Sequence, residues 1–290
     1  MSRFNDWMAE RLVLVADGAT GTTLQKAGLP PGAAPERWNL TEADQVRALY
    51  RGYVDAGADI ILTNTFGGSS IRLKREGLDG QVREINLAAA QLAREVAGER
   101  ALVCGDIGPC GEMLAPLGTL SFEEVSASFA EQAQALAEGG VDAILIETMS
   151  DLEEARAAIE GTRKVTALPL LVTMSFDTKG RTMMGVKPER AVRALAELGV
   201  DVIGANCGRT LSETLDAVLA MRQALPEAVL MAKPNAGLPH TEDGALVYDV
   251  TPEIMADYAL RFVNEAKVKI FGGCCGSTPE HIRAVADALK

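Results

Sequence analysis

At 290 residues, 48% of them hydrophobic, the chain can bury a large core, which excludes a disordered protein and fits one (β/α) barrel or two smaller domains. The 28 Lys+Arg against 40 Asp+Glu give a formal net charge of -12, which repels nucleic-acid phosphates and argues against a DNA or RNA partner. No run reaches the ~18 apolar residues of a membrane span. Phe4 to Leu12, interrupted by Asn5, Asp6, Glu10 and Arg11, lacks the apolar centre of a secretory signal, so a cytoplasmic location is expected. The cysteines number five, an odd count in a chain that needs no staples, and point to a reduced compartment with metal or reactive roles rather than a disulfide framework.

Along the chain, apolar runs recur at Val13–Ala16, Ile60–Thr63, Ala101–Gly105, Ala143–Ile146, Leu170–Met174, Val202–Ala205, Val229–Ala232 and Val268–Phe271. Amphipathic stretches separate them, as in Phe122, Val125, Phe129, Ala133 and Leu136, whose spacing of three and four puts one apolar face of a helix against a sheet. Ser121-Phe-Glu-Glu124, Ser150-Asp-Leu-Glu153 and Thr210-Leu-Ser-Glu213 read as capping boxes, and Thr251-Pro252 and Thr278-Pro279 as caps before a first-turn proline. Three similar Gly turns, at Gly57, Gly140 and Gly199, end helices just before strands. Eight strand–helix units in an α/β pattern predict a (β/α)8 TIM barrel forming a single domain over residues 1–290. An open doubly wound sheet is the runner-up. Gly28 to Pro35 is a long loop after the first strand and a candidate lid.

In such a barrel the chemistry gathers where strands end. The residues just beyond the runs are Asp17, Asn64, Asp106, Glu147, Ser175 and Asp177, Asn206 and Cys207, Lys233 and Asn235, then Cys274 and Cys275. Cys274 and Cys275 sit in Gly272-Gly-Cys-Cys-Gly276, where glycines permit the bend that lets adjacent thiols face one ion. With Cys207 they form a three-thiolate set that suits zinc with one position open, the layout of a catalytic site. Cys104, within a strand, and Cys110, in a loop, read as structural. His240 and His281 read as surface or loop residues, leaving a Ser-His-Asp triad without support. Lys233 at a strand end is also a candidate for Schiff-base chemistry if its pKa is lowered. Asp17-Gly18-Ala19-Thr20-Gly21-Thr22 reads as a backbone nest for a carboxylate or phosphate, and Asp17 with Glu147 offers charge for an amine, so a zwitterionic amino acid suits the set.

These motifs resemble the homocysteine S-methyltransferase family over almost the whole chain. The matching stretches are Asp17–Thr22, Thr63-Asn-Thr-Phe66, Ile144-Leu-Ile-Glu-Thr148, Asn206-Cys207, Pro234-Asn-Ala-Gly-Leu-Pro239 and residues 272–281. The resemblance implies zinc at Cys207, Cys274 and Cys275, with homocysteine sulfur in the open position and no separate catalytic side chain. It implies further that Asp17 and Glu147 bind the amine, that backbone at Gly18 and Ala19 meets the carboxylate, and that the Asn235 amide oxygen lies near the metal. The segment Gly208-Arg-Thr210 is diagnostic of no one branch of the family, so the donor stays open. With the chain ending at Lys290, the donor is expected from outside: a small molecule such as betaine or S-methylmethionine, or a separate corrinoid methyl-carrier protein. Two other readings remain at this level, a non-catalytic zinc module and a lysine-dependent lyase.

Overall fold

The computed structural model describes residues 2–242 and 245–290. Strands β1 (Leu14–Val15), β2 (Ile60–Leu62), β3 (Leu102–Ile107), β4 (Ala143–Met149), β5 (Leu170–Met174), β6 (Val202–Cys207), β7 (Leu230–Pro234) and β10 (Ile270–Phe271) form one parallel sheet. Its order is β1-β10-β7-β6-β5-β4-β3-β2, and a parallel bridge from Ala16 to Ile60 joins the two ends into a TIM barrel. A short antiparallel pair, β8 (His240–Glu242) and β9 (Ala245–Val247), follows β7. The eight expected runs are the eight barrel strands, and the open-sheet alternative falls on the Ala16–Ile60 closure.

Alternation along the strands separates two cores. Leu14, Ile60, Leu62, Leu102, Leu145 and Ile270 point inward, while Val15, Ile61, Val103, Ile144, Val172 and Phe271 face the surrounding helices. Cys104 belongs to the inner set and is buried, as its place within a strand suggested. Helix α1 (Arg3–Glu10) puts Phe4, Trp7 and Met8 against the inner core, so the barrel interior is packed rather than open.

The outer ring includes α2 (Gly21–Lys26), α3 (Trp38–Thr41), α4 (Ala43–Asp55), α5 (Ser70–Leu73), α6 (Val82–Ala97), α7 (Phe122–Glu138), α8 (Leu152–Val165), α9 (Pro188–Glu197), α10 (Leu211–Ala224), α11 (Pro252–Ala266) and α12 (Pro279–Leu289). Ser121 closes its capping box with Glu124, and Thr210, Thr251 and Thr278 are caps as read. The start of α8 differs by one residue. Asp151 rather than Ser150 is the cap, its carboxylate accepting the Glu153 N–H at 3.1 Å. Gly57, Gly140 and Gly199 all have positive φ, which explains why the same turn recurs before β2, β4 and β6. No helix among the described residues is long and apolar enough to cross a membrane.

Candidate functional site

The thiols meet because β6 and the turn after β10 end side by side. Cys207 closes β6 at φ 58, and Gly208 follows at φ 74, so two successive left-handed residues turn the chain at the sulfur. The 272–277 turn is pinned on several sides. Gly273 N–H donates to Asp17 O at 2.9 Å, Cys274 N–H to Pro234 O at 2.9 Å, and Ser277 Oγ to Cys274 O at 2.6 Å. Ala236 N–H donates to Cys275 O at 2.9 Å, tying the end of β7 to the same turn. Tyr248 packs on Gly276, whose φ is 80: a methyl there would collide with the phenol ring.

The three Sγ atoms lie within 4.8 Å of one another, and those of Cys207 and Cys274 are 3.1 Å apart. Tetrahedral thiolate ligation at ~2.3 Å separates sulfurs by about 3.8 Å, so the trio spans the range a single ion requires. Protonation points the same way. Hydrogen bonds from Cys207 and then Cys274 pull the Cys275 thiol down to about 3, while the bonds to Cys274 and Cys275 push Cys207 up. Crowding thus opposes ionisation of all three sulfurs together, and a divalent cation would relieve that repulsion.

Asn206 braces the trio. Its Nδ2 lies 3.9 Å from both Cys207 Sγ and Cys274 Sγ and donates to Thr148 Oγ1 at 2.6 Å, while its Oδ1 accepts from Thr148 N–H at 2.8 Å and Thr173 Oγ1 at 2.7 Å. Thr148 stands at φ 64 in an irregularity of β4, an uncommon conformation for a β-branched residue, and it lines the cavity beside Glu147.

Below the sulfurs lies an acidic floor. Lys233 Nζ is 3.3 Å from Glu147 Oε2 and 3.7 Å from Asp17 Oδ1, and all three side chains are buried. Asp17 Oδ2 accepts the Leu62 N–H at 2.7 Å, but among the described residues its Oδ1 has no hydrogen-bond partner, and neither does Asp106 Oδ1. Burial raises Asp17 to about 6, opposed mainly by Lys233. Burial likewise raises Glu147, and it raises Asp106, where the nearby Glu147 charge adds to it. One ammonium thus serves three buried carboxyl groups, Asp17, Asp106 and Glu147. A second cation would be welcome there.

Lys233 is not the depressed amine that Schiff-base chemistry needs. Burial alone would lower its pKa, but Glu147 and Asp17 more than offset this and raise it, so the ammonium stays charged. The lyase reading is withdrawn on that ground. His281 also differs from its expected surface placement. It is buried at the start of α12, with Nδ1 accepting the Thr278 N–H at 3.2 Å and Nε2 bonded to Val250 O at 2.8 Å. It fastens α12 to the loop that leads into α11. His240 is exposed and 3.5 Å from Asp249, and Cys110 is buried with its N–H on Glu154 Oε1 at 2.8 Å.

A cavity of about 550 Å³ opens onto this arrangement. Gly18, Ala19, Glu147, Cys207, Cys274 and Cys275 all line it, and so do Lys233 and Asp106. Asp17 lies behind the lining through Lys233, and the Ala19 N–H is engaged by Ser277 O at 3.3 Å and Ser277 Oγ at 3.2 Å. Asn235 sits at the end of β7 with Nδ2 on Gly208 O at 2.8 Å, and its buried Oδ1 has no hydrogen-bond partner among the described residues. Gly32 to Pro35, from the candidate lid, form part of the outer wall. Asn206 and Asp106 were visible in sequence only as polar residues at strand ends, without a role. Ser277 stood inside the matching stretch 272–281 without a role, and nothing in the sequence marked Tyr248.

Comparison with known proteins agrees with this geometry. The sequence profile described as homocysteine S-methyltransferase matches residues 14–289. Methionine synthase of Mycobacterium leprae (strain TN) is 34% identical over 97% of this chain, and that of Mycobacterium tuberculosis (strain ATCC 25618 / H37Rv) is 33% identical over 98%. The chain spans only 24% and 25% of the length of those two relatives. In three dimensions, the metallated form of the Escherichia coli homocysteine methyltransferase MmuM superposes with a TM-score of 0.82 at 23% identity, covering 98% of this chain and 99% of that one. With the profile running through both cysteine turns and every barrel strand, the chain belongs to the homocysteine S-methyltransferase family.

Proposed function

We propose that this protein transfers a methyl group to the sulfur of homocysteine, giving methionine, with zinc held by Cys207, Cys274 and Cys275. The observation that carries the reading is the convergence of three sulfurs and an under-neutralised acidic floor on one cavity. A thiol-bearing amino acid has both of the groups these features accept. Zinc with one coordination position open supplies Lewis acidity that favours the thiolate of an incoming thiol, whose free pKa of ~8.5 would leave it mostly protonated at neutral pH.

The chain's own residues then orient the acceptor. The ammonium of homocysteine joins Lys233 among Asp17, Glu147 and Asp106, where Asp17 Oδ1 and Asp106 Oδ1 await donors. Its carboxylate lies against backbone at Gly18 and Ala19. The Ala19 N–H bonds to Ser277, at 3.2 and 3.3 Å, are at the long end of the normal range and so exchangeable. Asn235 Oδ1, buried and without a hydrogen-bond partner among the described residues, would offer the metal a neutral oxygen. In the step itself the sulfur lone pair forms the new S–CH3 bond while the methyl–donor bond breaks, its electrons leaving with the donor. Holding the two reactants in line in one cavity supplies much of the rate.

A small methyl donor or a separate corrinoid protein would serve as the second reactant, and action on another thiol, in either direction with a corrinoid partner, is the second reading. The protein is taken to act as one unit over residues 1–290, in the cytoplasm. The test is zinc content and methionine formation for the wild type and Cys207→Ala. One zinc per chain, lost together with activity in the variant, supports the reading; methyl transfer by metal-free protein overturns it.

A further inference from the structure

Beyond the sulfurs and the acidic floor the cavity lining includes Thr65 and Phe66, Arg72 of α5 and Arg75 of the turn that follows it. This arm is built with the opposite charge. Arg72 is half-buried, its backbone N–H is capped by Ser69 Oγ at 3.4 Å, and its guanidinium makes no salt bridge or hydrogen bond among the described residues. Arg75 is held by Gly111 O and by Glu112 Oε1, the latter at 2.8 Å. Both heads converge on Gly111: a methyl there would collide with Arg72 Nη1 and stand 3.4 Å from Arg75 Cζ.

Two guanidinium groups brought this close repel each other unless an anion lies between or beside them. The carboxyls at hand do not fill that role. Glu36 lines the same stretch, but one of its oxygens accepts the Gly67 N–H at 2.6 Å, and it makes no salt bridge to Arg72 among the described residues. Glu76 is exposed and forms no ion pair with Arg72 among the described residues, and Glu112 is taken by Arg75. A partly desolvated guanidinium without an acceptor is a binding group whose planar fork matches carboxylate or phosphate oxygens.

We propose that the outer arm is an oxyanion subsite in which Arg72, backed by Arg75, takes a carboxylate or phosphate of the methyl donor and so turns the donor's methyl-bearing end toward the three sulfurs. This rests on the methyl-transfer reading, because a second reactant is what the remaining length of the cavity would hold. The oxyanion has two possible sources, the carboxylate of a small zwitterionic donor or the phosphate of a larger methyl carrier.

Calorimetric titration of the zinc-loaded protein with acetate and, separately, with inorganic phosphate tests this. Homocysteine is kept saturating so that the amino-acid end is filled, and ionic strength is held constant with chloride. At least one probe should bind saturably and weaken tenfold or more in Arg72→Gln, with a smaller loss in Arg72→Lys and none in Arg193→Gln on the surface of α9. Acetate as the tighter probe identifies a carboxylate donor, and phosphate a phosphorylated one. Binding of neither probe, or equal binding in wild type and Arg72→Gln, overturns the subsite. Thermal unfolding of each variant shows that it is folded. Titration of homocysteine alone separates the two proposals: homocysteine bound with no oxyanion bound sinks only the subsite, whereas an oxyanion bound without homocysteine sinks the methyl-transfer reading and with it the donor role of the subsite.

Discussion

Asn206 holds Thr148 by both atoms of its amide, Oδ1 accepting the Thr148 N–H at 2.8 Å and Nδ2 donating to Thr148 Oγ1 at 2.6 Å. The residue before a candidate metal ligand therefore also sets the backbone beside Glu147. Through this one side chain the sulfur trio and the acidic floor share a support. Asn206→Ala leaves the buried Thr148 N–H and Thr173 hydroxyl without their acceptor, a loss of about 1–3 kcal/mol. Urea denaturation should register that loss, and competition with a chelator should show zinc held at least several-fold more weakly. A variant that lost stability while keeping wild-type zinc affinity would reduce Asn206 to scaffolding.

Lys233→Met removes the one ammonium that, among the described residues, stands between three buried carboxyl groups. Breaking a buried ion pair from one side typically costs about 3–5 kcal/mol, because the partner charge is left uncompensated. The variant should unfold at markedly lower urea concentration at neutral pH and recover part of the difference as the carboxyls protonate at lower pH. A variant as stable as wild type at pH 7 would mean that the carboxyls are already neutral.

Asp17 imposes a pH dependence of defined sign. Its folded pKa, raised by burial from 3.8 to about 6, means that the folded state binds the proton more tightly than the unfolded state. The resulting stabilisation is fully present below about pH 4 and is lost as pH rises through about 6. Its size is on the order of 3 kcal/mol. Asp17→Asn should remove this term, so the stability difference between variant and wild type should shift in favour of the variant between pH 4 and 7. A difference that stayed constant across that window would show that Asp17 titrates normally.

Zinc linkage gives a further check. A ligand that binds only the folded protein stabilises it by RT ln(1 + [L]/Kd), about 2.7 kcal/mol at a hundred times Kd. Adding zinc to reduced, metal-free protein should raise the unfolding temperature by several degrees. Cys207→Ala and Cys275→Ala should each abolish most of the rise. Equal shifts in wild type and both variants would place the metal elsewhere.

Gly276→Ala combines a side chain at φ 80 with a collision against the Tyr248 ring. Left-handed backbone costs a non-glycine residue roughly 1–2 kcal/mol, and overpacking adds to it. The variant should be destabilised and, because Cys275 is the preceding residue, should bind less zinc per chain. Tyr248→Ala combined with Gly276→Ala should recover part of the stability, and failure to do so would leave the backbone conformation as the whole cause.

Sequence reading went furthest where the signal was local. The eight strands were legible because buried parallel strands are short apolar runs, and the helix starts because caps are short-range hydrogen bonds. It slipped by one residue at Ser150, where two adjacent residues can both cap and only the path of the chain selects Asp151. It named Lys233 but weighed it for the wrong chemistry, because a lysine at a strand end looks the same whether it is free or clamped. The distances to Asp17 and Glu147, far away in sequence, decide which.

What the amino-acid order alone determined was the set of strand ends and the kinds of residue standing at them, since strand period and glycine turns are encoded within a few neighbouring positions. Tertiary structure decided which of those residues touch. Closing the barrel brings Cys207 to Cys274, Glu147 to Lys233 and Arg72 to Gly111, and it leaves Asn235 Oδ1 and Asp17 Oδ1 without hydrogen-bond partners among the described residues. Charge pairing and desolvation depend on separations across the barrel, and no periodicity along a single segment carries that information.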